Sequence, residues 1–257
     1  VVEATGRVDE ATGRRLAELN GTLSPNWKVL STLAASSVES GATLDGRPRP
    51  YHVRGPLSGG SLAALLKGLD ADLGLDLTSA NAFGLALGPA PLVLRCKGGV
   101  VTLDPVETTL NGGKVLLKPD LDVDEVRGIA VKLRPGSTIQ GAEINDEVSR
   151  RVLSYVAPVL NEATHVHGKV NVAVEQAEFP LTGPPDRTVT LTGQVVFQGV
   201  TFAPGPFATQ LLTLTGRPDS PGLQLAQPVQ LSIANRRVYQ KGLEVPVRKD
   251  AKIALEG

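Results

Sequence analysis

The chain contains no methionine and begins Val1-Val2. An open reading frame needs an initiator, so the sequence reads as a mature or cut-out piece of a longer protein. There is one cysteine, Cys96. A single thiol makes no internal disulfide, which excludes a disulfide-stapled secreted scaffold. Aromatics are few: one Trp, three Tyr and five Phe. Such a chain is a poor stacking platform for bases or sugars. Net charge is also missing, with 26 Lys+Arg against 26 Asp+Glu. That removes the electrostatic pull of a general nucleic-acid binder, so no nucleic-acid partner is expected. No apolar run reaches about 18 residues, so no segment reads as a membrane-spanning helix. A signal peptide or membrane anchor would belong to sequence outside this piece.

The chain is apolar enough to fold: 41% hydrophobic, 20% charged, mean hydropathy +0.02. It can bury a sizeable core, and global disorder is excluded. Its 257 residues suit one large domain or two ordinary ones. Gly 28 and Pro 19 punctuate it heavily, though below the roughly 25–30% of low-complexity chains. Between these breaks the pattern has a period of two. Val166, Val170, Val172 and Val174 alternate with His167, Lys169, Asn171 and Ala173. Val189, Leu191, Val195 and Phe197 alternate with Thr190, Thr192, Gln194 and Gln198. Val229, Leu231 and Ile233 follow the rule, as do Leu243, Val245 and Val247, and Ile253 and Leu255. The first half repeats it at Leu73, Leu75 and Leu77, at Leu85 and Leu87, at Leu92 and Leu94, and at Val101 and Leu103. This marks antiparallel strands with one apolar and one polar face. Asn81, Gly88-Pro89, Lys97-Gly98-Gly99 and Asn111-Gly112-Gly113 separate the runs. Asn-Gly is the strongest short hairpin signal present.

Three helices are expected among the strands. Ser61–Leu69 places Leu62, Leu65, Leu66 and Leu69 on one side. Ile144–Leu160 is the best, with Ile144, Val148, Val152, Tyr155, Val156 and Val159 as an apolar stripe, a cap at Asn145 or Asp146, and Pro158 in its last turn. The third runs from Pro206 to Leu214. Glu10–Leu19 is a weaker fourth. Pro119–Asp124 and Gly183–Asp186 read as loops. The expected fold class is mainly β with a few helices (α+β), built as a long curved antiparallel sheet. The expected organisation is an N-terminal partial strand and helix segment over 1–54, a helix-plus-strands unit over 55–140, and a second such unit over 141–257, truncated at its end. The recurring order reads as an imprecise internal repeat.

The search for chemistry is nearly empty. His165 and His167 could ligate a metal with His52 or Cys96, yet no carboxylate or Cys lies at ligand spacing beside the pair. An exposed strand face explains them better. Asp120, Asp122 and Asp124 look like a calcium loop, but Glu125 stands where Gly is needed and Val131 where Glu is needed. Gly55–Ser61 is glycine-rich before a helix but lacks the Gly-Lys-Ser/Thr of a phosphate loop, so Ser58 or Ser61 reads as an ordinary cap. No Gly-x-Ser-x-Gly elbow exists. Cys96 has charged neighbours in Arg95 and Lys97 but no His near it in sequence. No metal, cofactor or catalytic group is expected.

Two stretches carry a resemblance. In the first, Gly99–Pro105 (GVVTLDP) and Leu110–Lys114 (LNGGK) lie within Leu73–Asp122. They match an order of amphipathic strand, Gly turn, "dGxvxldp" strand and "xLxGGxxxg" hairpin. In the second, the 144–160 helix leads into His167–Val172 (HGKVNV), like a "GxVxlxv" strand. These resemble the AsmA-like family, which includes AsmA and TamB and is related to the bridge-like lipid transfer proteins. Together they cover about half the chain, on degenerate motifs. The membrane-anchoring N-terminal helix of such proteins is not in this sequence. The resemblance implies a repeating β-groove with a hydrophobic inner face. It also implies a periplasmic protein, anchored to the inner membrane through a segment outside this chain, with phospholipid or another envelope lipid as partner.

The physics leads the same way. An amphipathic sheet must cover its apolar face, and three helices are few for so many strands. Val170, Val172, Val174, Val189, Leu191, Val195, Phe197, Leu231 and Ile233 are the expected lipid-facing residues. The alternative is a dry sheet-on-helix core of the same residues. A second functional expectation is a non-catalytic assembly module, pairing its sheet edges with envelope protein partners. An enzyme is not expected.

Overall fold

The computed structural model describes residues 2–11, 14–36, 42–56, 62–124, 126–153, 164–184, 187–203, 228–246 and 252–255. Strand dominates throughout, as the alternation requires. β1 (Val2–Ala11) and β2 (Arg14–Leu23) open the chain as a hairpin, in register from Val2↔Leu23 to Ala11↔Arg14. The helix expected over Glu10–Leu19 does not form there. Within that stretch Thr12 and Gly13 are poor helix formers, and the described residues on either side pair as neighbouring strands.

The next element, α1 (Trp27–Ser36), was not anticipated. Its start is set by Asn26. The Asn26 Oδ1 accepts from the Val29 N–H at 3.2 Å and its carbonyl accepts from the Leu30 N–H at 3.0 Å, which is N-cap chemistry. β3 (Ala42–Arg47) and β4 (Arg49–Pro56) then run in line, separated by Pro48. α2 (Leu62–Gly68) matches the first expected helix to within a residue.

A meander follows: β5 (Asp70–Ala82), β6 (Leu85–Leu87), β7 (Ala90–Lys97), β8 (Val100–Leu103), β9 (Val106–Leu110), β10 (Gly113–Leu117), β11 (Pro119–Asp124), β12 (Gly128–Leu133) and β13 (Ser137–Ile144). Pro119–Asp124 is thus a strand rather than a loop. The best expected helix begins two residues later than expected and is helical as far as Leu153. Ile144 ends β13, Asn145 caps a single turn, α3 (Asp146–Val148), and a π-type turn follows at Ser149–Leu153. Residues 154–160 of that expectation lie outside the described residues, as does Pro206–Leu214. The chain resumes with β14 (Thr164–Pro180), β15 (Thr190–Ala203), β16 (Val229–Ala234) and β17 (Arg237–Lys241). β18 (Leu243–Pro246) and β19 (Lys252–Leu255) form a separate two-stranded sheet.

β1–β17 make one antiparallel sheet. Several strands lie end to end against one long partner. β3 and β4 both face β5, β6 and β7 both face its other edge, and β12 and β13 both face β14. Counted this way the ladder has twelve positions from β1 to β17, about 50 Å at the usual strand spacing. The breaks follow a rule. Pro48, Pro89, Pro105, Pro119 and Pro135 interrupt or begin successive segments, and a bulge between Val174 and Gln176 continues the line into β14. Proline donates nothing to a ladder. These positions meet across the strands, with Leu117↔Val106, Pro119↔Leu133 and Ser137↔Val174 in register. They form a crease that divides the long strands. On one side of it, β8 and β11 carry no ladder between them, so the sheet is notched there. Positions 54/55 and 140/141 fall inside β4 and β13.

Candidate functional site

The residues of one face can be followed across the ladder. In the first half, Gly6, Leu19, Val53, Ala71, Cys96 and Val101 lie in one transverse row. In the second half, Thr108, Val115, Ile139, Val172, Val195 and Val229 do the same. Leu87, Leu110 and Gly113 join the two. One apolar face therefore runs through the whole sheet.

Eight of the nine expected residues belong to it. Val170 faces Phe197, Val172 faces Val195, and Leu191 faces Ile233. Gly193 stands between Val174 and Leu231. Val189 precedes β15 and is 39% exposed, so it stands at the margin. Val174, Val195 and Phe197 are buried, whereas Val170, Val172, Leu191, Leu231 and Ile233 are half-buried. Sequence reasoning missed Ala177 and Ile139, both on this face. Bulges hide them: Val174 and Ala177 face the same way because an extra residue intervenes, and Ile139 and Ala142 do likewise in β13.

The same half-burial recurs at Leu73, Leu75, Leu94, Leu103, Leu121, Val131 and Leu133. Cover is local. Leu69, which follows α2, lies against Gly55, and the Leu66 carbonyl sits 3.7 Å from the Cys96 Sγ. A side chain at Gly55 would press on Leu69. Cys96 is 1% exposed, and burial first, with the Asp70 charge second, pushes its thiol pKa up. A raised pKa disfavours the thiolate needed of a nucleophile. Trp27 of α1 lies against Gly46, where a Cβ would collide with the ring. The Ser31 hydroxyl donates to the Leu44 carbonyl at 3.0 Å and accepts from the Leu44 N–H at 2.7 Å, closing that edge of β3.

The opposite face is polar and charge-paired. Lys132 Nζ lies 2.8 Å from Asp122 Oδ2, and Arg187 Nη2 lies 2.7 Å from Glu178 Oε1. The Lys132 hydrogen bond holds the Asp122 carboxyl below its ordinary range, aided by Arg127 and Arg187 and opposed by partial burial. Asp124 is held low by the backbone N–H groups of Arg127 and Val126. Arg95 bridges Asp104 and Asp72, Asp104 chiefly raising its pKa. Ala130 is fully buried beneath the Asp122–Lys132–Glu178 group. The aspartates of the calcium-like stretch thus serve as strand-surface ion pairs. His52 Nδ1 lies 2.7 Å from Asn20 Oδ1, and His167 is exposed. Among the described residues no group of three His, Cys, Asp or Glu could hold a metal ion. Among them, too, no helix is long and apolar enough to cross a membrane. No protein-family model, curated protein or solved structure matches this chain.

Proposed function

We propose that this chain is a non-catalytic lipid-binding segment of an AsmA-like cell-envelope protein, holding acyl chains along its apolar sheet face for lipid transfer or outer-membrane maintenance. One observation carries the reading: a single apolar face extends in register over twelve strand positions, and most of its large side chains are only half-buried. A large open apolar face is a binding surface. Each methylene moved onto it is worth about 0.8 kcal/mol, so ten contribute about 8 kcal/mol. No reaction is required. The polar face stays in water while the acyl chain lies on the other. The resemblance noted from sequence adds a periplasmic setting, with an inner-membrane anchor supplied by a segment outside this chain and a phospholipid or other envelope lipid as cargo.

The notch supports a second reading. β8 and β11 present neighbouring edges with no ladder between them, and an unpaired edge is a template for another strand. In that case the chain is an assembly module for envelope proteins. Native mass spectrometry with lipid extraction, on protein purified from periplasmic expression, separates the two. Co-purified phospholipid supports the lipid reading. A lipid-free, cooperatively folding protein favours edge pairing.

A further inference from the structure

The polar face of β10, β13, β14 and β15 carries a depression of about 640 Å3. Its floor is made of small residues. Gly141 stands in the bulge between Ile139 and Ala142 with a φ of +68°, and nothing lies within 4 Å of where its Cβ would be. Ala173 lies between Thr138 and Gln194 in register. The walls are mostly long and polar, with Val196 the aliphatic side chain on this face and Ile139 and Val172 lining from strand positions that face the other way. Lys114 pairs with Gln140, and Lys169 pairs with Gln198.

The fold aims two of the amides. The Gly141 N–H donates to Asn171 Oδ1 at 2.6 Å, which leaves the Asn171 NH2 to donate elsewhere. Gln194 Nε2 donates to Glu175 Oε1 at 3.5 Å, which leaves its carbonyl oxygen as an acceptor. Neither Lys114 nor Lys169 makes an ion pair among the described residues. The lining holds no carboxylate and no aromatic ring. The acids near it on this face are Glu143, opposite Lys169 and beside Gly112, Glu175, already engaged by Gln194, and Glu107, exposed on β9.

Two ammonium groups flanking carboxamides and a hydroxyl suit an anion that also carries hydroxyls. A neutral sugar finds no ring to stack on and gains nothing from the lysines. We propose that this depression binds an anionic, hydroxyl-bearing group of the phosphorylated- or carboxylated-sugar class, either as a free sugar phosphate or as an anionic lipid head group. The site does not depend on the lipid reading, because it lies on the opposite face of the sheet.

The test is a titration of the isotope-labelled chain, read at the Gly141 amide and the side-chain NH2 signals of Asn171, Gln140, Gln194 and Gln198. Glucose 6-phosphate should shift these signals in a saturable way, and glucose should leave them unmoved. The double variant Lys114→Gln/Lys169→Gln should raise the Kd at least tenfold with an unchanged melting temperature, since both side chains are exposed. Glu143→Gln should tighten binding. Co-sedimentation with vesicles of phosphatidylglycerol in phosphatidylcholine tests the second source. Vesicle binding lost in the double variant, without a response to glucose 6-phosphate, assigns the site to a lipid head group. Equal responses to glucose and glucose 6-phosphate overturn the proposal. So does wild-type binding by the double variant, or silence of both probes.

Discussion

Leu191 and Thr192 are adjacent in β15 and face opposite ways, which makes them a matched pair for charge insertion. Leu191 is half-buried on the apolar face between Ala177 and Ile233, and Thr192 is exposed on the polar face. Full burial of a leucine is worth about 1.5–3 kcal/mol, so half-burial puts the folding cost of Leu191→Glu near 1–2 kcal/mol. The cost to lipid is larger. An acyl chain lying across this position loses its contact with Leu191 and must strip water from a carboxylate, which costs several kcal/mol. A loss of about 3 kcal/mol is a hundredfold fall in occupancy. Thr192→Glu places the same charge one residue away, in water, and should change neither quantity. The assay is lipid occupancy by native mass spectrometry, with urea unfolding to show that both variants keep the wild-type transition. If folded Leu191→Glu protein carries as much lipid as Thr192→Glu protein, the apolar face is not the binding surface.

Two further outcomes test the fold itself. Ser31→Ala removes both hydrogen bonds to Leu44 and should lower stability by about 1–2 kcal/mol, visible in thermal unfolding; an unchanged melting temperature would mean that α1 does not secure the edge of β3. Asp122 and Asp124 both have carboxyl pKa values held below the ordinary range, near 3.9 for an unfolded aspartate. Their contribution is therefore complete above that value and is lost as pH falls through their lower folded values. Stability measured by urea titration should decline on the acid side of about pH 4, and Asp122→Asn should flatten that decline. A steeper decline in the variant would contradict the assigned ion pair with Lys132.

The strands were legible because one physical rule wrote them. An antiparallel strand with one wet face shows its alternation directly, and Val170–Val174, Leu191–Phe197 and Val229–Ile233 all do. The continuity of the face was not legible. It depends on bulges at Val174/Gln176 and Ile139/Ala142, where alternation fails by one residue, and period-two reading is blind there. The prolines of the crease are scattered along the sequence, and of them only Pro89 stands in a turn signal and Pro119 in an expected loop. The meaning of the crease comes from registration across strands, which no single stretch carries. The 144–160 stripe is helical over 146–153 and departs from the expectation at its start. Val148 and Val152 keep helical spacing, but Ile144 is claimed by a ladder partner, Gly168, and tertiary pairing outweighs local propensity. α1 escaped notice because its start is marked by Asn26 after a proline, without an acidic first turn.

Asn111 is where a local sequence signal and the long-range architecture meet. It was read as half of a hairpin Asn-Gly, and its φ of +45° with Gly112 at +75° fits that role. The structure gives its side chain a second task. Asn111 Oδ1 accepts from the Ala86 N–H at 2.6 Å, and Asn111 Nδ2 donates to the carbonyls of Gly84 and Glu143, each at 3.1 Å. One carboxamide thus ties the β5–β6 turn, the β9–β10 hairpin and the end of β13. Asn111→Gly keeps the left-handed backbone and loses three hydrogen bonds, about 3 kcal/mol at roughly 1 kcal/mol each. Asn111→Ala loses the same bonds and adds a left-handed alanine, about 1 kcal/mol more. Asn111→Asp keeps the acceptor but sets a carboxylate against two carbonyl oxygens. It should be the least stable of the three at neutral pH, and protonation should restore part of its stability, because a carboxylic acid can donate to one of those carbonyls. Urea unfolding of the three variants at neutral and mildly acidic pH gives the order directly. If Asn111→Gly is as stable as the wild type, the carboxamide joins nothing and the hairpin signal was its whole meaning. If Asn111→Asp gains no stability relative to Asn111→Ala on acidification, the donor role of Nδ2 is wrong.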